Sequence, residues 1–213
     1  MTLEILTGVL ALLALVFSVA TFGSRWAQMQ RLPFATDRSR PKDSATRGIL
    51  YAFSLGMMPW AKESTRLHMV AYLRGIAFHV GIFAGLAALL VSPWFGNIPQ
   101  IILTLFAVVT GLGALMGIAG GLMRVMEHNL SAISTPDDHA AVWLVSLFLV
   151  AMTAALLSPA FVPVMYLVSA VMLVYAPLGK IRHCIYFYFG RLFYGLHIGR
   201  RGIVRGLEAS HGR

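Results

Sequence analysis

The chain has 213 residues, of which 58% are hydrophobic and only 12% are charged, and its formal net charge is +9. Soluble domains carry about twice that share of charged residues, so the composition excludes an ordinary soluble domain and indicates an integral membrane protein. The single cysteine, Cys184, excludes an intramolecular disulfide and a cysteine-based metal cluster.

Five apolar segments are long enough to cross a bilayer, which takes about 20 residues per helix. The predicted helices cover about 3–23, 70–92, 100–123, 140–158 and 161–183. They predict an all-α fold, a five-transmembrane-helix bundle that forms one domain over residues 1–213. Residues 24–68 are predicted to be a cytoplasmic loop, and residues 184–213 an interfacial or cytoplasmic tail.

The basic residues predict the orientation of this bundle. With five crossings, all 17 Lys and Arg residues fall on one side of the membrane, which holds the 24–68 loop, the connection after residue 123 and the C-terminal tail. Because cytoplasmic loops collect Lys and Arg, we predict an outer N-terminus and a cytoplasmic C-terminus in a bacterial or archaeal cytoplasmic membrane. Topology and membrane lipid thus account for the charge, and we predict no nucleic-acid partner.

Local signals in two of the predicted helices concern packing and helix ends. Gly81 and Gly85 in helix 2 have the spacing of helix-packing glycines. Before helix 4, the stretch ISTPDDHAAVW predicts Thr135 as the N-cap and Pro136 as the first helical residue. The acidic pair that follows suits the positive end of that helix.

Two histidines lie near the apolar zone, on predicted helices 2 and 5. His79 comes five residues after Arg74, at a depth of roughly 7 Å, and His183 lies at the inner end of helix 5. Two imidazoles at one depth on facing helices are the arrangement that holds the iron of haem b by both axial positions. The alternative is that His79 only hydrogen-bonds a backbone carbonyl and that His183 is interfacial.

Further residues could complete a haem site at this level. The basic residues Arg74, Lys180 and Arg182 could pair with the haem propionates at the polar edge. His68 precedes His79 by eleven residues, close to the same helical face, and His197 follows His183 by fourteen. His68, His197 and His139 are therefore lesser candidates for a second site further inward, where solvated helix ends are the alternative.

The motifs FHVGIF, ISTPDD and PLGKIRHCIYF, in this order, resemble the respiratory nitrate reductase gamma subunit family. The chain is most similar to the gamma-like subunits in the transmembrane redox complexes of sulfate metabolism, such as the high-molecular-weight cytochrome complex. The resemblance covers about residues 60–195. It implies a five-helix cytochrome b in which His79 and His183 hold the inner haem.

The resemblance also marks a departure from the family. The family's outer haem takes two more histidines, and the matching places here are near Leu89 and Met165. The sequence therefore predicts one haem b, with two possible, and leaves the family's outer quinol site in doubt.

The expected function is electron transfer between menaquinone or another quinone and a cytoplasmic-side partner. The expected partners are an iron–sulfur protein, with a multihaem cytochrome and a second membrane subunit as further possibilities. Two alternatives remain open: a haem-free membrane subunit of such a complex, and a small transporter. Apart from Glu4 at the end of the first one, the apolar segments contain no acidic residue of the kind that transporters use, which weighs against the second alternative.

Overall fold

The computed structural model describes residues 2–35, 37–61 and 63–211, and these residues form helices and connections without a β-strand. The described chain contains the following α-helices: α1 Leu3–Arg31, α2 Ala45–Phe53, α3 Glu63–Leu67, α4 Met69–Val91, α5 Gln100–Met126, α6 His128–Ala132, α7 Pro136–Leu157, α8 Val162–Tyr175, α9 His183–Arg200 and α10 Ile203–His211. The predicted all-α class is confirmed.

Four stretches of the described chain are long and apolar enough to cross a membrane. They are Leu3–Arg31, Met69–Asn97, Gln100–Met126 and Pro136–Leu157. A fifth crossing results if Pro159–Tyr175 and Lys180–Arg200, which meet at a bend of 65°, are counted as one broken span. The helices are thus those of a multi-pass membrane protein with four or five spans.

The fifth predicted helix differs from the structure in its last third. The sequence predicted one helix over 161–183, but α8 ends at Tyr175 and α9 begins only at His183, after a short 3-10 turn at Lys180–Arg182. The break contains Pro177, which has no N–H to donate and cannot continue the helical ladder, followed by Gly179. His183 therefore opens a new helix.

The predicted 24–68 loop is also more helical than expected. Helix α1 continues to Arg31, because its polar last turns contain no helix breaker before Pro33. The short helices α2 and α3 then occupy residues that were predicted as loop. The predicted span ended at residue 23 because the following residues are polar, but polar residues can continue a helix.

The chain divides into two compact units, which are described separately. The first comprises Met1–Thr21 and Val70–Arg182, and the second comprises Phe22–Met69 and His183–Arg213. The single membrane domain over 1–213 stays a prediction, because a compact unit need not fold as an independent domain.

The first unit packs through a core on α7 and α8 and through glycines on α4 and α5. The side chains of Phe148, Leu149, Met152 and Met165 are fully buried. A Cβ atom on Gly85 would lie 3.0 Å from both Phe148 and Leu149, and Gly81 lies against Gly113. Gly81 and Gly85 are thus packing positions, as their spacing predicted.

Helix α7 begins with the predicted cap. The Thr135 hydroxyl accepts a hydrogen bond from the Asp138 amide at 3.4 Å, and the Asp138 carboxylate accepts one from the Thr135 amide at 3.0 Å. Pro136 is the first helical residue. This reciprocal capping box satisfies two amides that the helix cannot pair internally.

The second unit is built on close contact between α2 and α9. A Cβ atom on Gly195 would lie 2.7 Å from the Ile49 Cα, and one on Gly199 would lie 2.6 Å from the Ser44 carbonyl oxygen. The Trp26 ring packs on Phe189 in α9, with ring centroids 4.9 Å apart. Glycine lets the backbones of these two helices touch, which a side chain would prevent.

Candidate functional site

His79 lies in the middle part of α4, within a candidate membrane span. Its Nδ1 atom is 2.7 Å from the carbonyl oxygen of Gly75, one turn earlier in the helix. A carbonyl oxygen can only accept, so Nδ1 must carry the proton and donate it. The ring is exposed, and in the neutral ring the remaining nitrogen, Nε2, carries the lone pair that a metal ion needs.

This hydrogen bond has two consequences for the predictions. The contact is the one named in the alternative interpretation of the sequence, in which His79 donates a hydrogen bond to a backbone carbonyl. It is also the arrangement found around histidine metal ligands, which usually donate their second ring N–H to a carbonyl or carboxylate and are thereby oriented. The bond to Gly75 is therefore compatible with ligation through Nε2.

His183 is the first residue of α9, and its side chain is exposed. It belongs to the second unit, whereas His79 belongs to the first. The pairing of the two imidazoles across one haem therefore stays a prediction. The chemistry of the donors fits haem b, since both residues are histidines with exposed side chains. His79 lies in the middle of the apolar helix α4, and His183 is the first residue of α9.

The three basic candidates of the first unit have protein partners of different kinds. Lys180 forms an ion pair with Asp138, with 2.7 Å between Nζ and Oδ1. The Arg74 guanidinium contacts the Met123 sulfur, which is no ionic partner. Arg182 donates to the Leu178 carbonyl oxygen at 3.4 Å. Of the three, Lys180 already has an anion, so Arg74 and Arg182 are better suited to a propionate.

The lesser histidine candidates occupy three different environments. His68 lies in the turn before α4 and not on it. The eleven-residue helical spacing that aligned it with His79 therefore does not apply, because the two residues are not on one helix. His139 stands in the first turn of α7, where its amide donates to the Thr135 carbonyl oxygen at 3.3 Å.

His197 repeats the arrangement of His79 in the second unit. Its Nδ1 atom is 2.9 Å from the carbonyl oxygen of Phe193, four residues earlier in α9. Its ring is half-buried and lies against the Phe193 ring, with centroids 4.1 Å apart. As at His79, Nδ1 donates its proton, and in the neutral ring the lone pair is then on Nε2.

A cluster of ion pairs that the sequence did not predict closes one end of the second unit. Asp37 accepts hydrogen bonds from the Ser39 amide at 3.0 Å and from the Arg201 Nε at 3.1 Å. Asp43 accepts a bidentate pair of bonds from Arg205, at 2.8 and 3.2 Å. No spacing rule could have revealed them, because the partners are more than 160 residues apart.

These contacts set the titration of both carboxyl groups. Hydrogen bonds from the Ser39 amide, and next from Arg201, hold the pKa of Asp37 well below its usual range. Hydrogen bonds from Arg205, and next from the Ser44 amide, lower the pKa of Asp43. Both groups are therefore anionic at neutral pH, and the segment between them is held to α9 and α10.

Comparison of the chain with protein-family models, with curated proteins and with solved structures gave no match.

Proposed function

We propose that the protein is a haem b-containing membrane subunit of a respiratory redox complex. It transfers electrons between the quinone pool and an iron–sulfur or other redox partner on the cytoplasmic side. The resemblance of the FHVGIF and PLGKIRHCIYF motifs to the nitrate reductase gamma subunit family suggests this function. The proposal includes an outer N-terminus and a cytoplasmic C-terminus.

One observation carries the proposal. His79 is a polar residue inside an apolar span, and the hydrogen bond to Gly75 fixes its proton on Nδ1. Ionisable residues within a membrane are costly and are kept where they have a function. Haem iron binds a neutral imidazole, and it does so through Nε2 where Nδ1 carries the proton.

The chain's own residues would divide the work as follows. His79 and His183 would hold the iron, and Arg74 and Arg182 would neutralise propionates at the polar edge of the membrane. The haem supplies the one-electron chemistry when bound, while the protein orients it, shields it from water and sets its potential. The apolar residues of α4 that flank His79 would contribute to that shield.

The count of one haem per chain rests on the outer half of the bundle. Met165 is fully buried and Leu89 is 8% exposed. The Ser169 hydroxyl lies 3.6 Å from the Met165 sulfur, so this side chain is engaged within the protein core. Leu89 and Met165 are thus packed core residues at the places where the nitrate reductase gamma subunit family, which the motifs resemble, has its outer haem ligands. This favours a single inner haem.

An absorption spectrum of the purified full-length protein tests the proposal. After expression with ample haem, the dithionite-reduced minus oxidised spectrum should contain a b-type alpha band from a low-spin, bis-imidazole haem. A protein without this band, even after incubation with added haem, would contradict the proposal and leave the two haem-free alternatives, a membrane subunit of such a complex or a small transporter. Adding a quinol analogue to the oxidised protein should then reduce the haem, either in this chain alone or together with its partner subunits.

A further inference from the structure

The second unit contains an open cavity of about 770 Å³ between residues 35 and 37–39 on one side and the end of α9 on the other. Ligand pockets span about 300–1,000 Å³, so this cavity is large enough for a small organic group. Its lining combines cationic and aromatic side chains: Arg38, Arg201, His197, Phe193 and Tyr194. Neither the haem proposal nor the predicted haem pair uses this cavity.

The walls of the cavity are fixed by contacts within the unit. Asp37 is 5% exposed and is held by Arg201 and by the Ser39 amide and hydroxyl, the latter at 2.8 Å. Further along the same segment, the Lys42 amide donates to the Arg200 carbonyl oxygen at 2.7 Å. The cavity is therefore a preorganised feature, which lowers the ordering cost of binding.

The charges of the lining favour an anion. Asp37 and Arg201 offset one another, so Arg38 gives the lining a net positive charge. The Nδ1 atom of His197 is bonded to the Phe193 carbonyl oxygen, so in the neutral ring Nε2 can accept a hydrogen bond from a hydroxyl group of the ligand. Guanidinium groups bind phosphate oxygens through short, charge-assisted hydrogen bonds.

The other half of the lining is apolar, and its contacts favour a lipid over a free anion. Phe193, Tyr194 and Ile198 line the cavity, and the Phe34 ring, 40% exposed, lies beside Phe193 with centroids 5.8 Å apart. Inorganic phosphate would contact only the cationic side chains of the lining and would leave the aromatic rings exposed to water. A phosphodiester that carries glycerol and acyl carbons uses both halves.

We propose that this cavity binds the headgroup of an anionic phospholipid, with the phosphodiester at Arg38, a headgroup hydroxyl donating to His197 Nε2, and the glycerol backbone against Phe193 and Tyr194. A zwitterionic choline lipid is disfavoured because Arg38, which gives the lining its net positive charge, repels the quaternary ammonium. The exposed rings of Tyr186, Phe187 and Tyr188 lie on the same helix. Such aromatic side chains are typical of the membrane–water interface, where lipid headgroups lie.

The test uses the full-length protein in detergent and soluble, short-chain lipids, so that the surface potential of a bilayer does not contribute. Calorimetry should show saturable binding of dihexanoyl phosphatidylglycerol, weaker binding of the matching phosphatidylcholine, and no competition by inorganic phosphate. Arg38→Gln should weaken phosphatidylglycerol binding by about tenfold, the effect of losing one hydrogen bond between charged groups. Arg40→Gln is the matched control, because Arg40 is exposed on the same segment but does not line the cavity.

Three results would overturn the proposal: equal weakening by Arg38→Gln and Arg40→Gln, equal affinity for phosphatidylcholine, or full competition by inorganic phosphate. The last would assign the cavity to a free anion instead. Phe193→Leu adds a second measurement, since it should weaken lipid binding without weakening any binding of phosphate. Haem content should be the same in all these variants, so the lipid and haem proposals stand or fail separately.

Discussion

Gly81 on α4 and Gly113 on α5 bring two membrane-spanning helices into backbone contact: a Cβ atom on Gly81 would lie 2.6 Å from the Gly113 Cα. His79 precedes Gly81 by two residues, which is a rotation of about 200° around the helix. The glycine contact therefore turns His79 to the side of α4 opposite α5. The same packing that holds α4 in place makes the imidazole accessible.

This contact predicts that Gly81→Leu destabilises the protein. A larger side chain must push α5 away, and overpacking of this kind costs about 1–3 kcal/mol. The matched control is Gly75→Ala, because a Cβ on Gly75 meets nothing within 4 Å. Thermal unfolding in detergent should show a lower midpoint for Gly81→Leu and an unchanged or slightly higher one for Gly75→Ala. Equal midpoints for Gly81→Leu and the native protein would show that the helices do not meet here.

The ion pairs of the second unit predict a pH dependence. The pKa of Asp37 and of Asp43 is lowered in the folded state, so the unfolded chain binds more protons. Their stabilising contribution is complete above the unfolded pKa of about 4 and is lost as the pH falls below it. Hydrogen-exchange protection of the Lys42 and Asp43 amides should fall with this titration, relative to amides inside α5.

Asp43→Asn provides the control for that experiment. The variant cannot ionise at this position, so its protection at neutral pH should already be reduced and should change less on acidification. Protection that is independent of pH in the native protein would contradict the account of this segment.

The charge distribution predicts how the bent pair α8–α9 lies in the membrane. The connections near Ser92–Asn97 and Pro159–Phe161 contain no Lys or Arg, so both should be outside. A reporter enzyme that is active only outside should be active when fused after Asn97 or after Leu157. It should be inactive when fused after Ile133 or after the complete chain. Activity of the full-length fusion would mean that the bent pair does not cross and that the chain has four spans.

The sequence predicted those features that local chemistry decides. The capping box at Thr135 and Asp138 follows from residues three positions apart, and the long spans follow from runs of apolar side chains. The end of α8 before Pro177 was also visible in the sequence, but the prediction gave more weight to the hydropathy of residues 161–183 than to the breaker within them.

The features that the sequence did not predict depend on partners that are distant along the chain. Gly48 and Gly195 are ordinary small residues until α2 and α9 meet, and Asp37 is an ordinary loop carboxylate until Arg201 lies beside it. The lining of the cavity is assembled in the same way, from two segments more than 150 residues apart. Periodicity and spacing contain no information about such pairs.

The proposed ligands predict a specific loss of haem. His79→Ala and His183→Ala should each yield protein that inserts into the membrane but lacks haem, because insertion depends on the hydrophobicity of whole segments. His128→Ala is the matched control, since His128 is exposed on α6 outside the candidate spans. His68→Ala, His139→Ala and His197→Ala should also retain haem. Full retention of haem in His79→Ala or His183→Ala would reject the proposed pair.

The ratio of haem to protein tests the central claim most directly. A dithionite-reduced pyridine haemochrome, normalised to the protein concentration by amino-acid analysis, measures that ratio in the purified full-length protein. We predict about one haem b per chain, because Leu89 and Met165 are packed core residues at the places where the family that the sequence motifs resemble has its outer ligands. A ratio near two, with one haem lost in His68→Ala or His197→Ala, would contradict the single inner site. A ratio of zero in protein from haem-supplied cells would contradict the assignment as a cytochrome b.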